Sequence, residues 1–389
     1  MIYFRSRLRA LLFSILLAVS AAASDMSAWS HYLEVTIDST KIDSDLTDYT
    51  YAFDFSEIGS GHDFWTTVDS TGKDVRWTKD DGTTELAFEL VEIDTTAKTG
   101  EAHFNLAGTS SSSTDPVVRL YYGNAGASLY AVDATYGAEN AWDSSFVGVW
   151  HLAEDANTTA GGYADSTNND NDGTGVSMSA DAAGKLPSKA QDFVPYSDYI
   201  TVDDDATLDP TAAITISAWV YPDTNPNPNG YIVDHQNQFS LLIDNSGTRG
   251  RFLLKSASIF LDINTGATTI GTSTWGHLVG RYDKDAGSPQ GSLWLNGSSE
   301  ATATATTAIG TTTRKVRFGM YTNNDGAPSN TWDFPGLIDE VRISNIARSD
   351  AWVKLDYETQ NAPSGVYTIG AHTANAAAAS FLPRIIIWQ

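Results

Sequence analysis

The run Asp165-Ser166-Thr167-Asn168-Asn169-Asp170-Asn171-Asp172-Gly173 crowds side-chain and backbone oxygens into one short loop. A hard cation such as Ca²⁺ takes that kind of ligand set. The loop is not an EF-hand, because the flanking helices and the bidentate glutamate at the twelfth position are missing. A solvated acidic loop has the same composition, so composition alone leaves both readings open. A second carboxylate is harder to explain by solvation. In Gly336–Ser344, simple alternation puts Leu337, Asp339, Val341 and Ile343 on one face. Ile338, Glu340, Arg342 and Ser344 fall on the other. Asp339 then sits among aliphatic side chains, which is costly unless a cation or several hydrogen bonds satisfy it. Gly336 permits a bulge or a close backbone approach just before it.

Catalytic patterns are weaker. Retaining glycoside hydrolysis needs two carboxyl groups roughly 5–5.5 Å apart. The nearest alternating pattern, Glu92-Ile93-Asp94, lacks its second glutamate, and Glu34-Val35-Thr36-Ile37-Asp38 fails likewise. Asp339 and Glu340 are adjacent, so they are expected on opposite faces of a strand. No Gly-x-Ser-x-Gly elbow and no His-Glu-x-x-His motif occurs. The 7 histidines are scattered and read as structural or surface residues. No catalytic residue is assigned, and a non-catalytic protein is expected.

The elements that must position these residues are β-strands. Apolar runs are short, helical periodicity is scarce, and Gly, Thr, Ser and Asp punctuate the chain. Arg5, Arg7 and Arg9, the apolar run Ala10–Val19 and Ala21-Ala22-Ala23 read as a signal peptide over 1–23. The mature chain is therefore expected to be exported from a bacterial cell, secreted or surface-held, with no transmembrane span. Residues 24–135 carry several short strands, such as His31–Ile37 and Val117–Tyr122, and read as one β-sandwich. Residues 146–347 carry a second set. There Ile214, Ile216, Ala218 and Val220 alternate with Thr215, Ser217 and Trp219, and Asn296-Gly297 marks a hairpin turn. Residues 348–389 read as a short helix capped by Ser349-Asp350, a returning strand over Val366–Gly370 and an apolar tail. The fold class is all-β. The chain has no cysteine, which removes disulfides and thiol ligands, and its net charge of −25 argues against nucleic acid or anionic lipid as a partner.

Several motifs in the second unit resemble those of laminin-G-like, concanavalin-A-like jelly rolls. They are Trp150-His151-Leu152, Asp165-Ser166, Thr215-Ile216-Ser217-Ala218-Trp219-Val220, Trp275-Gly276-His277-Leu278-Val279-Gly280-Arg281-Tyr282 and Phe334-Pro335-Gly336-Leu337-Ile338-Asp339-Glu340-Val341-Arg342-Ile343. The first unit resembles an uncharacterised bacterial domain that often precedes such jelly rolls, through Asp74–Leu86 and Leu120–Ala125. The resemblance implies two β-sandwiches, the second a concanavalin-A-like jelly roll of the lectin/glucanase superfamily. It implies a structural calcium held by Asp165, Asn171 and Asp339, with Asn168 as a further candidate. It also implies carbohydrate binding or cell adhesion, with a glycan or a surface protein as partner. The candidate ligand-binding residues are Trp219, His235, Trp294, Tyr321, Asn323, Asn324, Asp325 and Trp332. The alternative is a structural subunit of an extracellular or virion-associated assembly. In that reading the apolar tail over 376–389 pairs with a partner or a second copy by strand addition.

Overall fold

The computed structural model describes residues 24–195, 197–226, 228–244, 248–322 and 328–379. The signal-peptide reading over 1–23 and most of the apolar tail lie outside them. The chain forms two β-sandwiches with a helix between them. In the first, one sheet orders its strands as Tyr367–Ile369, His31–Ile37, Val117–Tyr122, Arg76–Lys79 and Glu85–Leu86. The other orders them as Leu46–Asp54, Thr99–Ser110 and Phe88–Asp94. Inward-facing aromatics fill the space between. Trp77 stacks on Phe104 at 4.3 Å and Phe53 stacks on Tyr367 at 5.2 Å, spacings at which ring pairs attract beyond their area burial.

The second sandwich is a jelly roll of an eight- and a seven-stranded sheet. The strand Gly336–Ser344 lies inside the eight-stranded sheet. It pairs with Ala213–Pro222 on one edge and with Lys189–Phe193 and Phe146–Trp150 on the other. Beyond Ala213–Pro222 come Gly276–Asp283, Gly291–Leu295 and Ser298–Ala303. Asn296 and Gly297 both take positive φ (51° and 72°), the primed turn that suits a two-residue hairpin between twisted strands. Ile214, Ile216, Ala218 and Val220 all point into the core between the sheets, as their alternation requires.

Alternation fails within Gly336–Ser344, and the failure decides the architecture. Ser217 pairs with Arg342 and Trp219 with Asp339, so Glu340 and Val341 together stand opposite Ala218. Glu340 adopts φ +52°. This is a β-bulge, which bends the strand and re-aims the side chains that follow. Ile338, Val341 and Ile343 therefore share the jelly-roll core. The expected parity, which grouped Asp339 with Val341 and Ile343, is wrong for that reason. Asp339, Glu340 and Arg342 lie on the opposite face.

That opposite face is covered. The helix Asp350–Asn361, capped by the Ser349 side chain, brings Trp352, Val353 and Leu355 into one hydrophobic cluster with the first sandwich. Val279 and Trp294, from the outer face of the eight-stranded sheet, join the same cluster. The chain then returns to the first sandwich. Val35 pairs with Ile369, Ile37 with Tyr367 and His31 with Ala374. Helix and strand thus belong to the joint between the two sandwiches. Leu355 is fully buried in that joint. Leu355→Ala is expected to cost about 2–5 kcal/mol in chemical denaturation, the range for a buried leucine whose cavity only partly collapses.

Candidate functional site

The proposed calcium set comes apart in three dimensions. Asp165 lies along the outer edge of the strand Phe146–Trp150, where Val149 N–H donates to its Oδ1 (2.9 Å). Its carboxylate also accepts from Thr167 N (3.0 Å), Thr167 Oγ1 (2.9 Å) and Asn171 N (3.0 Å). Burial pushes this carboxyl up to about 6 against the pull of those amides. Asn171 is turned inward and donates from Nδ2 to Val147 O and Thr207 Oγ1. Asn168 is exposed. Asp339 lies on the strand that pairs with the inner edge of Phe146–Trp150, so that strand runs between the two aspartates. Its Oδ2 accepts from Lys185 N (2.6 Å) and its Oδ1 is buried without a partner. Calcium needs six to eight oxygens about 2.3–2.6 Å from one point. Asp165 already accepts four hydrogen bonds and Asp339 faces other residues, so this set does not fit a single ion.

The joint instead gathers a different constellation. Glu101 and His103 alternate on the first sandwich's strand Thr99–Ser110 and so share a face. His151 follows the strand Phe146–Trp150, and Glu340 stands at the bulge. His151 Nδ1 donates to Glu340 Oε1 (2.5 Å) and lies 3.6 Å from Glu101 Oε1. His103 Nε2 pairs with Glu101 Oε1 at 2.8 Å. The two imidazoles stack at 4.5 Å. Among the described residues these four form the one group of acidic and histidine side chains with ligand atoms all within 4.8 Å of one another. Every member is buried.

An outer ring holds them. Glu89 accepts from His151 Nε2 (3.1 Å), Ser166 Oγ (2.7 Å) and Trp142 Nε1 (2.8 Å). Arg342 donates to Glu340 Oε2 (2.5 Å) and to Asp356 Oδ1 (2.6 Å) on the helix. Burial pushes Glu101 up to about 8, with the charge of Glu340 adding to it. Burial also drives His103 down to about 3. Burial opposes charge on His151 too, but Glu340 and Glu89 outweigh it and hold the imidazolium well above its ordinary range. His151 and Arg342 in turn hold Glu340 far below the carboxylate range, against its burial. A cleft of about 300 Å³, lined in part by Glu89, His151, Glu154 and Ser166, reaches this cluster from outside.

The histidines had read as scattered. The one local sign of the cluster was the same-face pair Glu101-x-His103. The other members come from distant segments, and only the bulge turns Glu340 toward them.

The expected ligand residues divide three ways. Trp219 and Trp294 are buried on the covered face. Trp219 Nε1 donates to Gln360 Oε1 (2.7 Å), and Trp294 lies under the Arg281 guanidinium. His235 is buried and donates to Arg314 O (2.7 Å). These three present no surface to a ligand. Asn323, Asn324 and Asp325 lie outside the described residues. Tyr321 and Trp332 come together on the outer face of the seven-stranded sheet, with Tyr231, which the sequence reading had left in a strand without a role. Ring centroids are 5.0 Å apart for Tyr231 and Tyr321, 5.9 Å for Tyr231 and Trp332, and 4.8 Å for Tyr321 and Trp332.

Comparison with known proteins is consistent with this geometry. Residues 195–354 match the family profile described as the concanavalin A-like lectin/glucanases superfamily, of laminin-G type. No curated protein matches the chain. Among solved structures, the binding domain of Paraclostridial Mosquitocidal Protein 1 is 15% identical with a TM-score of 0.44, over 55% of this chain and 52% of that one. Domain 4 of AbnA, a GH43 extracellular arabinanase from Geobacillus stearothermophilus solved with arabinotriose, is 21% identical with a TM-score of 0.42, over 55% of this chain and 98% of that one. The binding domain of botulinum neurotoxin serotype D is 13% identical with a TM-score of 0.41, over 58% of this chain and 53% of that one. The match thus spans about half the length of the mosquitocidal protein's binding domain. The second sandwich of this chain is thus a jelly roll whose residues 195–354 are similar to the laminin-G type of the concanavalin A-like lectin/glucanases superfamily.

Proposed function

We propose that this is an exported, non-catalytic glycan-binding protein that holds its ligand on the open face of the jelly roll. One observation carries the reading. Of the jelly roll's two outer faces, the eight-stranded one is covered by the helix and the first sandwich, while on the seven-stranded one the half-buried Tyr321 and Trp332 lie over the buried Tyr231. Aromatic faces offer rigid, largely apolar area with a negative quadrupole, suited to the C–H faces of a sugar ring. Polar groups beside them supply direction. Leu242 and Leu253 alternate with core residues, which places Arg251 on the same outer side, with Asp234 and Ser240 fully buried beneath. Arg251 forks onto Asp262 through Nε (2.8 Å) and NH2 (2.5 Å), and the Lys255 ammonium stands 6.0 Å from the Tyr321 ring. The leader over 1–23 supports export, and the first sandwich serves as the backing that leaves one face free.

The test is a glycan array followed by titration of the best ligand. Trp332→Ala and Tyr321→Ala are each expected to weaken binding at least about tenfold, the loss expected on truncating an interface anchor, with the unfolding midpoint little changed. An array without binding, or binding that survives both substitutions, sinks the reading. Binding to a surface protein but not to glycans reassigns the face to protein recognition.

Asp234 adds a pH signature. It is fully buried, accepts from Ser240 Oγ (2.6 Å), and burial raises its carboxyl to about 6 against the pull of Lys255. The folded chain then keeps a proton that the unfolded chain releases near pH 4. Stability from this group is complete below about pH 4 and falls as pH rises through about 6, by roughly 1.4 kcal/mol per unit. Asp234→Asn is expected to remove that decline, so its unfolding free energy relative to wild type rises between pH 4 and 6.

A further inference from the structure

We propose that Glu101, His103, His151 and Glu340 form a site for a zinc-type divalent cation that ties the first sandwich to the jelly roll. The donor set selects the metal. Two imidazole nitrogens and two carboxylate oxygens suit Zn²⁺ or Co²⁺, whereas Ca²⁺ takes six to eight oxygens and Mg²⁺ keeps several waters. Tetrahedral bonds of about 2.0–2.2 Å place neighbouring ligand atoms roughly 3.3–3.6 Å apart. The four side chains already bring ligand atoms within 4.8 Å of one another, with individual pairs at 2.5, 2.8 and 3.6 Å. Sub-ångström to ångström shifts of side chains close the geometry.

The surroundings are those of a metal site rather than of a finished ion-pair network. His103 Nδ1 is buried with no partner in hydrogen-bond geometry, although the rest of the cluster is densely bonded and the Glu101 carboxyl is met by Ser188 and Glu340 as well. With Nδ1 of His151 on the metal, its Nε2–H still donates to Glu89, itself fixed by Ser166 and Trp142. That is the carboxylate–histidine–metal arrangement that orients a ligating ring and raises its basicity. Arg342 holds the second oxygen of Glu340 and so aims the first. The cleft at Glu89, His151 and Ser166 supplies the way in.

Binding exchanges protons for the metal. The imidazolium of His151 loses its Nδ1 proton and the carboxyl of Glu101 loses its own, so two protons leave as one M²⁺ enters.

The experiment uses the untagged full chain, stripped with chelator and dialysed against Zn²⁺ or Co²⁺. One metal per chain, an intense visible spectrum of tetrahedral Co²⁺, and an unfolding midpoint raised by Zn²⁺ but not by Ca²⁺ are expected. Glu89→Gln leaves all four ligands in place and should weaken binding about 10- to 100-fold. His103→Gln and Glu101→Gln should abolish the tetrahedral Co²⁺ spectrum. His372→Gln breaks up the half-buried His31–His372 pair at 4.0 Å and tests for binding by other histidines. Its Co²⁺ spectrum should match wild type. No stoichiometric metal in the wild-type chain overturns the proposal. So does an octahedral Co²⁺ spectrum, or binding lost with His372→Gln and kept in Glu89→Gln. None of these readouts involves a glycan, so the result stands apart from the reading of the aromatic face.

Discussion

The interaction on which the rest of this structure depends is the contact made by Glu340 at the bulge, on the face away from the jelly-roll core. A single residue at φ +52° shifts the face of the strand, so that Asp339 joins Glu340 and Arg342 outside the aliphatic interior. Outside it they meet His151, the first sandwich's Glu101 and the helix's Asp356. The joint between the two sandwiches is thus built from charges on one face of the strand, whereas a regular strand would have set Asp339 beside Val341 and Ile343. A bulge of this kind is a designed feature of a sheet, because it re-aims a side chain without ending the strand.

Charge buried at such a joint costs desolvation, and only dense pairing offsets it. The network meets that demand in layers. Glu340 has His151 on one oxygen and Arg342 on the other, and Arg342 reaches Asp356, which also accepts from Gln360 Nε2 (2.9 Å). Glu101, pushed up to about 8, stays neutral through much of the physiological range, which removes one charge the site would otherwise have to balance. Around this polar centre lies the continuous cluster of Trp352, Val353, Leu355, Val279 and Trp294, which supplies the non-directional burial while the ion pairs set the register. The first sandwich, the helix and the outer face of the eight-stranded sheet therefore share one core, beside the jelly roll's own.

This arrangement divides the labour of the jelly roll. Its eight-stranded sheet spends its outer face on the joint, where Trp219 is stacked on Tyr357 at 5.7 Å and bonded to Gln360. Its seven-stranded sheet keeps its outer face for the Tyr231–Tyr321–Trp332 group. A residue type that suits sugar stacking thus serves as structural packing on one face and, at Tyr321 and Trp332, as half-buried ring area on the other. The same motif tryptophan cannot be assigned to ligand until the covering element is known.

Much of the fold was legible locally. Strands with period-two alternation, such as Ile214–Val220, declare their buried face because each side chain's direction follows from its neighbour's. The Asn296-Gly297 turn, the Ser349 cap and the helix face of Trp352 and Leu355 were readable for the same reason: each is decided within a few residues. Tyr321 and Trp332 were named from sequence and do meet. What the chain could not declare by itself were relations between distant segments. The parity of Asp339, Glu340 and Val341 depended on one extra residue set by pairing with Ala213–Pro222. The placement of Asp165 and Asp339 on opposite sides of Phe146–Trp150 depended on strand order. The cluster joins His151 to Glu340 across 189 residues of sequence. Local chemistry determined which segments are strands and which face of most is apolar. Only tertiary structure decided which carboxylates share a site, because that depends on register and on what packs against the far face of the sheet.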